Sequence, residues 1–275
     1  MTAEQDGLRW QIGVWNQLSL VYGREIDRRF LPVVDRTIAR ASPQAGERVL
    51  DLGTGTGAVA LRAAVDVGST GRVVGIDISQ QMVMQARHAA AALNLTNLQV
   101  HEGRAEAIPA GPATFDVVLA SLSLMYVIDR AAAAREIARV LRPGGRLVAA
   151  VWADAASCDI VRFQEAAGRF APPPPVPGVG PGALADPGVL LGQLAAEGID
   201  TQVDTEVLGF DFEDFESAWD VLAGVTTAQL GPERRADVKA AVQKAMWPHG
   251  DGPRHFRNTT HFIVGHRSSK TGVAT

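Results

Sequence analysis

The stretch VLDLGTGTGAVAL, residues 49–61, places Gly53, Gly55 and Gly57 directly after an apolar run that carries Asp51. Glycines between a strand and a helix let the backbone approach a ligand closely and turn tightly onto the helix N-terminus. Gly53, Gly55 and Ala58 also satisfy the dinucleotide spacing G-x-G-x-x-G/A, so the glycines alone admit any nucleotide-like ligand. Asp51 discriminates. A carboxylate projecting from the strand end into the same crevice repels a pyrophosphate and attracts an ammonium or sulfonium group. Asp77 ends the next apolar run, RVVGID (72–77), where a second carboxylate suits a pair of vicinal hydroxyls. A cationic ligand with a ribose diol, such as S-adenosylmethionine, answers both requirements.

Further chemistry-bearing residues are sparse. Tyr126 follows a fourth apolar run at the edge where ligands of open α/β sheets bind, and its phenol can donate to or accept from an acceptor hydroxyl. His249 and His255 flank GDGPR in a polar loop before the last strand, and His255 is kept as a substrate-facing candidate. His88 reads as a surface residue of an Ala-rich helix, His101 follows the third strand, and His261 and His266 read as structural. No histidine pair has metal-ligand spacing, and the single cysteine, Cys158, excludes a multi-cysteine metal site and reads as an inert thiol, so no metal is expected.

The elements that must position these groups follow from hydrophobic periodicity. RVLDL (48–52), RVVGID (72–77), LQVHE (98–102), FDVVLA (115–120) and GRLVAAVW (145–152) read as strands. Between them, 57–68, 79–94 and 130–141 carry helix formers at a spacing near 3.6, with Ser79 a candidate N-cap and RPGG (142–145) a helix stop. Apolar strands alternating with helices predict a parallel sheet covered on both faces. Upstream, residues 15–41 predict one or two helices interrupted near Pro32. FAPPPPVPGVGPGALADPG (170–188) is a stiff polyproline-like connector, either an inert linker or part of a lid. Beyond it the pattern gives a helix (189–198), a strand (201–212), two helical stretches (214–223 and 232–246) and a last strand (260–267). The expected organisation is a helical cap over the active site at 1–44, a core domain at 45–267 with a lid insertion at about 155–200, and a disordered tail at 268–275.

Hydrophobic residues make up 47% and charged residues 20% of 275, an ordinary globular balance that argues against disorder. The net charge of -4, with Lys and Arg scattered, shows no footprint for nucleic acid. No apolar run approaches the length of a membrane span and the N-terminus has no signal-like segment, so a cytoplasmic protein is expected. The oligomeric state is open, a homo-oligomer included.

VLDLGTGTG, with GIDIS (75–79) at the expected distance, resembles class I S-adenosylmethionine-dependent methyltransferases, in particular the small-molecule branch with the ubiquinone/menaquinone-biosynthesis methyltransferases. The resemblance runs from about residue 15 to 267. It implies a seven-stranded, mostly parallel Rossmann-like α/β sheet of order 3-2-1-4-5-7-6 whose last strand is antiparallel. It places Gly53, Thr54, Gly55 and Gly57 under the methionine and ribose, Asp51 near the amino acid portion, Asp77 on the ribose diol, and Ile78 and Met82 against the adenine. Ser121 is a further cofactor contact on this basis. WNQLSLVY (15–22) matches the family's N-terminal pattern, which puts Tyr22 at the cofactor carboxylate or the active site. Two departures stand out. GRAEAIP replaces the family's Gly-Asp-Ala-Glu, so Arg104 stands where an Asp would face the adenine, and recognition passes to Ala105 or Glu106. SLSLMYV (121–127) replaces Leu-His-His, so the family's histidine base is absent and Met125 and Tyr126 take its place.

Methyl transfer needs chiefly that an acceptor be held about 3 Å from the methyl group and in line with the leaving sulfur. A base is required for a hydroxyl acceptor and less so for an electron-rich carbon. C- and O-methylation therefore weigh equally. Trp152, Phe163, Phe170, Trp219 and Trp247 are candidate walls of an apolar acceptor pocket, which would suit a quinone precursor, a prenylated or polyketide natural product, or a lipid. Two other functions remain: a cyclisation promoted by bound S-adenosylmethionine, and an NAD-dependent oxidoreductase, which Asp51 disfavours.

Overall fold

A computed structural model describes residues 2–227 and 230–269 of the chain. The strands are β1 (Arg48–Leu52), β2 (Arg72–Asp77), β3 (Leu98–Glu102), β4 (Phe115–Ser121), β5 (Leu141–Trp152), β6 (Ile199–Phe212) and β7 (Arg254–Arg267). They form one seven-stranded sheet of order β3-β2-β1-β4-β5-β7-β6, with β7 antiparallel to both β5 and β6 and the other neighbours parallel. The helices are α1 (Ala3–Val21), α2 (Asp27–Ala41), α3 (Ala58–Val67), α4 (Gln80–Ala92), α5 (Arg130–Val140), α6 (Asp159–Gly168), α7 (Gly188–Ala196), α8 (Phe215–Leu222), the short α9 (Gly224–Thr227) and α10 (Pro232–Met246).

Strand alternation sorts the core into two layers. Val49, Val73, Val117, Leu119 and Val148 face α2, α3 and α4, packing on Val34, Ile38, Val59, Ala63 and Val83. Leu50, Leu52, Ile76, Val118 and Ala120 face the opposite layer with Ile137 of α5 and Phe163 of α6. Ser79 caps α4, its hydroxyl accepting from Met82 N–H at 3.1 Å, and Asp129 caps α5 through Ala132 N–H at 2.9 Å.

Three boundaries differ from the sequence expectation. The N-terminal helical segment breaks not at Pro32 but ten residues earlier, in a wide π-helical turn at Tyr22–Ile26. Pro32 loses one backbone bond, but Val33, Val34, Thr37, Ile38 and Ala41 are buried along α2, and that packing carries the helix through. β7 starts at Arg254 rather than 260, because Phe256, Asn258, Thr260 and Phe262 already alternate inward beside exposed His255 and Arg257. RPGG does stop α5, yet β5 begins at once at Leu141, and the four residues form an irregular register shift within it. Of the tail expected to be disordered, residues 270–275 lie outside the described residues.

Candidate functional site

A cleft opens at the C-terminal ends of β1, β2 and β4, where open α/β sheets bind ligands. It holds about 800 Å³ of empty space including its open mouth. Gly53, Gly55, Asp77, Ile78, Met82, Ala105, Glu106, Ser121, Tyr22 and Tyr126 all line it. α1 closes it from above through Leu8, Gln11 and Trp15, and Gln11 Nε2 fastens that helix by donating to Tyr126 O at 2.7 Å.

The glycines divide the work of the loop. Gly53 has φ +66°, and a Cβ there would stand 2.5 Å from Ser123 Cβ. Gly55 has φ +55°, opens onto free space, and donates its N–H to Asp77 Oδ2 at 2.9 Å. Gly57 does not reach the cleft: at φ +97° it precedes α3, and a Cβ would press within 3.2 Å of Ala86 Cβ on α4. Its place corrects the expectation that all three glycines underlie a ligand, because the third serves helix packing.

Asp51 is a second correction. It shares the inward face of Val49, so it points toward α3 rather than into the cleft, and it is 2% exposed. Its carboxylate accepts from Thr54 Oγ1 at 2.7 Å, and the Ala60 backbone in the first turn of α3 favours its charged form. Thr54 is thereby turned away from the cleft as well. It fits only because its neighbour Gly75, paired with Asp51 across β1 and β2, has no side chain: a Cβ there would meet Thr54 Oγ1 at 2.8 Å. Burial, opposed by the Thr54 hydrogen bond, lifts the Asp51 carboxyl to about 7, with the nearby Asp77 charge adding to the rise. A raised folded pKa means that this group's contribution to stability is complete below the unfolded value and is lost as pH rises toward 7. Asp51→Asn is accordingly expected to gain stability relative to the wild type as pH rises from about 4 to about 7, by at most ~1.4 kcal/mol per pH unit, and to gain no more above that. Denaturant unfolding at several pH values measures this, and a pH-independent difference contradicts it.

Asp77 is the carboxylate that reaches the cleft. Its Oδ1 accepts from Ser79 N–H and its Oδ2 from Gly55 N–H, both at 2.9 Å, which leaves further lone pairs for a ligand. Burial raises its pKa against these bonds. Arg104 is a third correction: its guanidinium leaves the cleft to pair with Glu4 of α1 at 2.9 Å and with Glu106 at 3.5 Å, so it ties the N-terminal helix to the loop after β3. Ala105 and Glu106 line the cleft instead. His255 is a fourth. It is exposed on β7 and paired with Asp211 at 2.7 Å, away from the cleft, because the polar loop assumed for it is a strand.

A second cavity, with about 390 Å³ of empty space, shares Trp15, Tyr22, Leu122 and Tyr126 with the cleft and continues to Phe30, Trp152, Ile160 and Gln164. Aromatic contacts run through it: Trp15 meets Tyr126 edge-on at 4.8 Å between centroids, and Phe30 meets Trp152 at 5.6 Å. Of the expected aromatic walls only Trp152 takes part. Phe163, Trp219 and Trp247 are packed in the core and Phe170 is surface-exposed. Leu122 sits at the shared wall with φ +55°, a conformation that costs a non-glycine residue energy. Burial pushes the Tyr126 phenol well up, and burial, with Tyr126 and the Asp27 and Asp77 carboxylates nearby, does the same to Tyr22. Both phenols therefore stay protonated at neutral pH. No histidine lines either cavity. The Pro-rich segment contributes Pro181 to the second cavity and is held by Arg130, which donates to Gly178 O at 2.6 Å and Met125 O at 3.1 Å.

Ser123, Gln11 and Gly75 were not anticipated. Gly75 had a visible signal, a glycine inside a strand, whereas Gln11 and Ser123 depend on partners 115 and 71 residues away.

A seven-stranded sheet of this order, with a glycine loop and an acidic residue at the end of β2, defines a methyltransferase-type α/β domain. Residues 43–165 match the model of a methyltransferase domain family. Nocamycin O-methyltransferase of Saccharothrix syringae is 39% identical over 137 residues, 49% of this chain and 46% of its own length. The ubiquinone/menaquinone biosynthesis C-methyltransferase UbiE of Enterobacter sp. strain 638 is 38% identical over 113 residues, 41% of this chain and 45% of its own. The chain thus spans about half the length of these curated relatives. Among solved structures, the (4+2)-cyclase SpnF is 25% identical with a TM-score of 0.58, covering 89% of this chain and 82% of that one. Among the described residues no helix is long and apolar enough to cross a membrane, and no group of three or more His, Cys, Asp and Glu is placed to hold a metal.

Proposed function

We propose that the chain is an S-adenosylmethionine-dependent methyltransferase acting on carbon or oxygen of a hydrophobic small molecule. The observation that carries this reading is the adjacency of two cavities of opposite character. One presents Asp77 and the glycine loop, and the other presents aromatic rings, with Trp15, Tyr22, Leu122 and Tyr126 as their common wall. The cleft fits the cofactor: Asp77 keeps lone pairs for a diol, Gly55 opens onto the space a Cβ would fill, and Ile78 and Met82 supply apolar faces. When bound there, the cofactor supplies an electrophilic methyl group on a cationic sulfur. The remaining groups position and exclude. Gln11 and Arg104 hold α1 over the cleft, Trp15 and the two tyrosines form part of the wall shared by the cavities, and Asp51 adds negative potential from behind the loop when ionised.

Neither a histidine nor a carboxylate lines the second cavity. The chain therefore suits an acceptor that supplies its own nucleophile, such as an acidic phenol or enol or an electron-rich carbon. Tyr126, kept protonated, would orient that acceptor by donating a hydrogen bond. Tyr126→Phe is expected to slow turnover roughly tenfold with S-adenosylhomocysteine affinity unchanged. Steady-state rates beside a calorimetric titration test this, and wild-type turnover removes the role.

The likeness to SpnF favours one alternative, a cyclisation promoted by the bound cofactor. The two separate by product analysis with a panel of quinone, prenyl and polyketide acceptors. Methyl transfer gives S-adenosylhomocysteine and a product heavier by one methyl group, whereas cyclisation gives an isomer of the substrate and no S-adenosylhomocysteine. The NAD reading conflicts with a sheet in which β7 is inserted antiparallel between β5 and β6, since the dinucleotide order is 3-2-1-4-5-6.

A further inference from the structure

Gln164 lies on the apolar stripe of α6, one turn from Ile160 and from Ala167, where periodicity calls for a hydrophobic residue. It is 5% exposed. Its Nε2 donates to the carbonyl of Leu222, the last residue of α8, whose oxygen has no following turn of that helix to bond. A carbonyl can only accept, so the amide orientation is fixed: turning it over would set two acceptors against each other. Its Oε1 is then left buried with no hydrogen-bond partner, and Gln164 lines the second cavity. Buried polar groups without partners are few in folded proteins and ask for an explanation.

The chemistry that would satisfy Oε1 is narrow. Only a donor serves, so a hydroxyl or N–H fits and a carbonyl or ether oxygen does not. The surroundings narrow it further, since Phe30, Trp152, Ile160 and Val221 around the cavity select a hydrophobic ring. Gln164 borders the second cavity but not the cleft, so the group it holds is not at the shared wall formed by Trp15, Tyr22, Leu122 and Tyr126.

We propose that Gln164 Oε1 accepts a hydrogen bond from a non-reacting hydroxyl of the methyl acceptor, and that this bond selects hydroxylated hydrophobic rings and fixes which edge of the ring meets the donor cleft. The inference rests on the methyltransferase reading and adds to it the acceptor class and a specificity-determining residue. It is tested by binding, without turnover. The protein, with and without saturating S-adenosylhomocysteine, is titrated with 2-naphthol and with its methyl ether, 2-methoxynaphthalene, by calorimetry and by the fluorescence of the tryptophans at the cavity. The wild type is expected to bind the naphthol roughly tenfold more tightly than the ether. Gln164→Met, close in volume and flexible, is expected to bring that ratio to about one while S-adenosylhomocysteine affinity stays as in the wild type. Equal affinities in the wild type, which would mean that a buried water already serves Oε1, overturn the proposal without recourse to any variant. So does a preference that survives in Gln164→Met, or the failure of both probes to bind. Absence of S-adenosylhomocysteine binding strikes the methyltransferase reading instead, because the hydroxyl preference is also measured without it.

Discussion

Asp77→Ala is expected to weaken S-adenosylhomocysteine binding roughly ten- to hundredfold, about 1.5–3 kcal/mol, the range of hydrogen bonds to a charged group. The side chain does two things at once. It faces the cleft, and it receives the Gly55 and Ser79 N–H groups at 2.9 Å each, so its loss frees the loop as well as removing the acceptor for a diol. Asp77→Asn separates these roles, since an amide oxygen keeps one acceptor but not the charge, and an intermediate loss is expected. Isothermal titration calorimetry reads both variants, and wild-type affinity in Asp77→Ala would show that the ribose lies elsewhere.

Gly53→Ala carries the second large effect. A side chain at φ +66° costs about 1–2 kcal/mol, and its Cβ would stand 2.5 Å from Ser123 Cβ, an overlap worth about 1–3 kcal/mol more. Denaturant unfolding is expected to register a loss of about 2–5 kcal/mol together with weakened cofactor binding. Adding Ser123→Gly removes the overlap but not the backbone strain, so the double variant should recover part of the loss. No loss in Gly53→Ala, or no recovery in the pair, contradicts the packing described.

The parts of the fold that depend on local pattern were legible in the residues. β1, β2 and β4 are largely apolar runs rich in Val, Leu and Ile, and the helix after β2 carries a recognisable cap at Ser79. The start of β7 was not legible, because Arg254 to Thr259 alternate between charged and buried residues that look like loop until β6 is laid beside them. The break between α1 and α2 falls at Tyr22–Ile26 rather than Pro32 for a similar reason: packing against the sheet outweighs a single lost backbone bond.

The candidate site shows the same division. The spacing from Gly53 to Asp77 was readable, since both ends come from one strand-helix-strand unit, β1-α3-β2. The orientation of Asp51 was not, because it is decided by which face of β1 it occupies and by the space Gly75 leaves for Thr54. Arg104 marked a departure in sequence, but its role as a tie to Glu4 arises from a residue one hundred positions away. The second cavity draws on α1, α2, β5, α6 and α8, and no window of sequence brings Trp15, Phe30, Trp152 and Gln164 together.

The central claim, that the glycine loop and Asp77 form a site for a methyl donor rather than a dinucleotide, is tested most directly by calorimetric titration of the wild-type protein with S-adenosylhomocysteine and, separately, with NAD. Micromolar binding of S-adenosylhomocysteine and no heat from NAD is the predicted result. Micromolar binding of NAD with no response to S-adenosylhomocysteine would contradict it.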